Sequence, residues 1–82
     1  MTKKHFEMIA KVLRNRADAI NNSSASNEEK HYALFELRNT MYNFCDEFKA
    51  ANPRFDVLKF KYACKVEKYF QIIREDIYQE SQ

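Results

Sequence analysis

The chain has no glycine, no tryptophan, one proline (Pro53) and two cysteines in 82 residues. The missing glycine excludes most. Hairpins and the tight turns of β-sandwiches need residues at positive φ, and glycine reaches that conformation at least cost. A sheet built from this composition would leave its turns without their usual residue. With one proline to interrupt it, the chain reads as long helices with few connections. The expected fold is all-α, a small bundle of three to four helices, with residues 1–82 forming a single domain.

A surplus of charge is also lacking. Fourteen Lys and Arg face twelve Asp and Glu, a net +2, too little by itself to mark a nucleic-acid binder. No apolar run approaches the ~20 residues of a membrane span, and no apolar stretch follows the N-terminal lysines as an export signal would require. A cytoplasmic protein with reduced thiols is the expectation, without membrane contact. Cys45 and Cys64 are assigned to the core, since free cysteine is among the most buried residue types. His5 and His31 stand at no ligand spacing from them, so neither a metal nor a cofactor is expected.

Catalytic signatures are missing as well. There is no nucleophile elbow, no phosphate-cradling glycine loop and no HExxH. The carboxylate pairs Asp46-Glu47 and Glu75-Asp76 are adjacent, so on a helix they diverge by about 100° and cannot share a substrate atom. No catalytic residue is assigned, and the chain is read as a binding protein, not an enzyme.

Aromatic rings are plentiful, seven Phe and five Tyr. A domain this small needs large side chains to build a core. From Lys3 to about Ile20, Phe6, Ile9, Ala10, Leu13, Ala17 and Ile20 fall on one helical arc. Lys3, Lys4, Glu7, Lys11, Arg14 and Asp18 fall opposite, with Met8 and Val12 between, free to meet a second neighbour. Residues 21–27 (Asn-Asn-Ser-Ser-Ala-Ser-Asn) form a polar loop whose Ser and Asn side chains compete for backbone hydrogen bonds. Ser26 or Asn27 caps a second helix to Ala51, with Glu28 and Glu29 favouring its positive end. Leu34, Leu37, Met41, Phe44, Cys45 and Phe48 make its main stripe, and Phe35 and Tyr42 widen it. That width places this helix at the centre, anchored by Phe44 and Phe48.

Pro53 ends the second helix at or before Asn52. Asp56 is then an N-cap, with Phe55 and Phe60 at the two positions of a hydrophobic staple. Beyond it the periodicity changes phase. Val57, Phe60 and Cys64 share one arc, whereas Tyr62, Val66, Tyr69, Phe70, Ile73 and Ile77 share another. Either a short helix near Val57–Cys64 breaks into another from about Val66 to Tyr78, or one helix gives two faces to different neighbours. The break is preferred. The most buried residues are expected to be Leu13, Leu37, Met41, Phe44, Phe48, Phe70 and Ile73.

Lys4-His5-Phe6, Ile9-Ala10 and Leu13-Arg14, with Phe48, Asn52-Pro53-Arg54-Phe55-Asp56, Phe60 and Ala63-Cys64, resemble a family of short bacteriophage and prophage proteins. Those carry a K-H-[YF]-x-x-I-A-x-x-L-R start and an N-P-R-F-D-x-x-x-F-x-x-A-C end. This chain departs from them by running on from Cys64 to Gln82. The resemblance implies a phage origin and the cytoplasm of a host cell, and carries no shared biochemistry. It implies structural roles for Phe48, Phe55, Phe60 and Asp56, and leaves Arg54 open.

Two binding readings follow. One is a phage-type inhibitor or modulator of a host protein or nucleoprotein, such as an anti-defence or anti-CRISPR protein. Surplus tyrosines, Tyr32, Tyr78 and also Tyr62, resemble the aromatic anchors of interfaces. The alternative is an accessory nucleic-acid binder. Arg54, Lys59, Lys61, Lys65 and Lys68 cluster with only Asp56 and Glu67 to offset them, and Lys61, Lys65 and Lys68 at i, i+4, i+7 would line one helical face able to neutralise phosphates. A homodimer closed by leftover aromatic surface stays open.

Overall fold

In a computed structural model that describes residues 2–80, the chain folds as α1 (Lys3–Asn21), α2 (Asn27–Ala51), α3 (Val57–Cys64) and α4 (Val66–Glu80). No strand occurs among the described residues. The bundle is elongated, 44 × 20 × 16 Å, its long axis set by α2, which at 1.5 Å per residue spans about 37 Å. α4 packs along α2, while α3 packs chiefly on α1.

The starts of α1, α2 and α3 each have their own device. Thr2 N–H donates to Nδ1 of His5 (3.2 Å), so His5 closes the first turn of α1. Ser26, not Asn27, caps α2. Its Oγ accepts from Glu29 N–H (3.2 Å) and donates to the Glu29 carboxylate (3.0 Å). Asn27 instead donates from its side chain to Glu80 (2.7 Å), tying the start of α2 to the end of α4. Asn52 is extended, as a residue before proline must be. Its Oδ1 then accepts from Arg54 N–H (3.1 Å).

The staple forms. Asp56 Oδ1 accepts from Lys59 N–H (3.0 Å), and the rings of Phe55 and Phe60 lie 5.5 Å apart. They join a larger cluster. Phe48 meets Phe55 at 5.3 Å and Phe60 at 5.6 Å, and Phe6 closes it from α1, 4.8 Å from Phe48 and 4.7 Å from Phe55. Tilted and edge-on pairs of this kind contribute about 0.5–1.5 kcal/mol each beyond their burial.

The break between α3 and α4 falls at one residue, Lys65, at φ 60° and ψ 5°. Cys64 and Val66 on either side are fully buried. A glycine-free chain thus makes its one left-handed turn among the described residues with a lysine, because two buried neighbours hold the backbone there. Tyr62, grouped by periodicity with the α4 arc, belongs to α3 and is 88% exposed.

Leu13, Met41, Phe48, Phe70 and Ile73 are buried, as expected. Leu37 and Phe44 are not, and only pack against the core. The buried arc of α2 is centred on Leu34, Met41 and Cys45, which leaves those two at its edge, where Phe44 stacks on Phe48 (5.6 Å). Ala17, Leu34, Cys64 and Val66 take the deepest places instead. Ala17 and Cys64 are small enough to bring helices close. Both cysteines are free and buried, and burial pushes the Cys64 thiol up to about 12.

Candidate functional site

Tyr32, Arg54, Lys61, Lys65, Lys68 and Tyr78, the candidate binding residues, are spread over α2, the turn after it, α3, the α3–α4 break and α4. Tyr32 sits on α2, 68% exposed, and Tyr78 near the end of α4, 66% exposed. Arg54 is exposed in the turn after α2. Lys61, Lys65 and Lys68 do not share a helical face, because the left-handed Lys65 separates Lys61 on α3 from Lys68 on α4. The i, i+4, i+7 spacing required one continuous helix.

Lys61 is also occupied. Its Nζ lies 4.7 Å from the centre of the Tyr42 ring and 4.0 Å from Glu67 Oε1. The same carboxylate accepts from Arg38 Nε at 3.0 Å and from the Tyr42 hydroxyl. Arg38 in turn lies over the rings of Tyr42 (4.9 Å) and Phe70 (5.1 Å). Burial pushes the Glu67 carboxyl up, but the Tyr42 hydroxyl and Arg38 guanidinium outweigh it and hold the pKa below the usual range. This node clamps the α3–α4 junction onto α2. A Lys61→Glu change would set two carboxylates against each other there.

His31 and Tyr69 are likewise engaged in packing between helices. His31 stacks on Phe70 at 4.8 Å. The Tyr69 hydroxyl donates to Asp18, linking α4 to α1. That bond, with burial behind it, raises the Tyr69 pKa. No group of three or more His, Cys, Asp or Glu able to hold a metal occurs among the described residues. No helix among them is long and apolar enough to cross a membrane.

An open concavity lies elsewhere, between α1, the 52–56 turn and α3. It is an open groove of about 480 Å³. Phe6, Ala10, Phe55, Phe60 and Ala63 line it with apolar surface, and Lys3, Arg54 and Lys59 stand around it with Glu7, Asn52 and Asp56. The staple fixes Phe55 and Phe60, while the alanines end at Cβ and leave the space. Eight of these eleven residues are among those that carried the phage-protein resemblance. By periodicity Lys3 and Glu7 fall on the wet face of α1, and only the pairing of α1 with α3 makes them part of one wall. A volume of this size with mostly apolar walls and a few charged groups is typical of binding sites.

The outer face of α3 adds Leu58 and Tyr62, 76% and 88% exposed and one turn apart. On α1, Met8 and Val12 are 57% and 66% exposed. The chain matches no protein-family model, no curated protein and no solved structure.

Proposed function

We propose that this chain is a small phage-type binding protein, not an enzyme, that inhibits or modulates a host protein or nucleoprotein by docking on it, as an anti-defence or anti-CRISPR inhibitor does. The observation behind this reading is the aromatic-floored groove left open beside a core that buries no polar residue among those described. Recognition uses such a concavity, since binding energy concentrates where apolar anchors enter a preformed pocket. The phage part of the proposal rests on the resemblance of the two motif segments. The cytoplasm of a host cell is the compartment this reading requires.

Tagged protein incubated with bacterial lysate, with and without nuclease, tests the reading. A protein partner that survives nuclease and rebinds when purified is the expected result. Recovery of nucleic acid alone would favour the accessory nucleic-acid role. Elution of a second copy of the chain alone would point to a homodimer.

A further inference from the structure

We propose that the groove between α1 and α3 receives a short acidic segment of a partner protein, anchored by one aromatic or bulky aliphatic side chain. The inference rests on the docking reading above and names the chemistry of the occupant. Half-buried Phe6 and Ala63 offer the accessible apolar surface, over the buried Phe55, Phe60 and Ala10 beneath them. The roughly 480 Å³ between them takes one large side chain with the backbone on either side of it.

The rim supplies the sign of charge. Lys3, Arg54 and Lys59 reach it from three separate segments, α1, the turn and α3. Among the described residues none of the three has a carboxylate within 4 Å, for the ion pairs there belong to Arg38 and Lys61. Two acids oppose them. Asp56 already accepts the Lys59 N–H as a helix cap, and Glu7 lies one turn from Lys3 on α1. The surplus is cationic and brackets an apolar floor, which suits an apolar side chain flanked by carboxylates. A phosphate backbone fits poorly, because its affinity comes from many cation contacts along its length, whereas three cations ring this groove around an apolar floor.

Fluorescence anisotropy of the full chain with labelled peptides tests this. The probes are Glu-Asp-Phe-Asp-Glu, the same peptide with Ala for Phe, its charge-reversed form Lys-Arg-Phe-Arg-Lys, and a single-stranded thymidine oligonucleotide. The first should bind saturably, and the alanine and reversed peptides roughly tenfold or more weakly. Ala63→Trp, which fills the groove, should abolish binding. Should that variant misfold, Arg54→Glu with Lys59→Glu keeps the test alive: both side chains are exposed, and Glu three residues after the Asp56 cap suits a helix start. The double variant should lose binding to the acidic peptide with an unchanged melting temperature. Saturable binding that is indifferent to Ala63→Trp or to the double reversal would overturn the groove assignment while leaving docking through another surface intact. So would an oligonucleotide that binds more tightly than the acidic peptide.

Discussion

Lys65→Gly should make the protein more stable, against the usual effect of putting glycine into a helical region. At φ 60° and ψ 5° a residue with a Cβ carries about 1–2 kcal/mol of left-handed strain. Glycine carries none and gives back about 0.5–1 kcal/mol through the extra freedom of its unfolded chain. The lost charge is close to neutral, since a cation helps the end of α3 and opposes the start of α4. The net gain is about 0.5–1 kcal/mol, or about 2–8 °C in Tm for a domain of this size. Thermal melts by circular dichroism on Gly, Asn, Lys and Val variants at this position should rank in that order. Valine should fall lowest, because a β-branched residue at positive φ is a true outlier. The sign decides the matter. Were residues 57–80 one continuous helix, Lys65→Gly would instead cost about 0.5–1 kcal/mol. A glycine variant that melts at or below the parent refutes the break.

Phe60→Ala should cost about 3–5 kcal/mol and Asp56→Ala about 0.5–2 kcal/mol in urea melts; a Phe60→Ala protein as stable as the parent would dissolve the staple. With burial raising both thiols, Cys45 and Cys64 should react slowly with a disulfide reagent at neutral pH and fast in denaturant. Prompt labelling of both in the native protein would contradict their placement. Because Glu67 has its pKa lowered on folding, its stabilising effect is full above the ordinary carboxylate range and lost as pH falls through the lowered value. Between about pH 6 and pH 3, the Tm of Glu67→Gln should therefore decline less than that of the parent, and parallel declines would remove the node from the acid response.

Local chemistry was legible in the residues wherever it was written in neighbouring positions. Pro53, Asp56 and the Phe55/Phe60 spacing announced a helix start that the structure contains. The phase change after Cys64 announced the break, although nothing in a lysine marks it for positive φ. What stayed hidden was pairing. Periodicity gives each helix a dry arc but not the helix that covers it, so Leu37 and Phe44 counted as core when their arc was wider than its cover. The lysine stripe failed for the same reason, since spacing in sequence becomes spacing in space only within one unbroken helix. The groove depends on α3 lying against α1, two helices separated by the whole of α2, and no local signal reports that contact.

The clasp between Asn27 and Glu80 and the meeting of Phe6 with Phe55 sit at opposite ends of α2, which gives the molecule two poles. At one pole the leading end of α1 is packed beside the aromatic cluster, with Lys3 on the groove's edge. At the other, the last turn of α4 is fastened beside the start of α2. The groove and the α2–α4 clasp therefore stand roughly the length of α2 apart, about 37 Å, so either can be altered without touching the other.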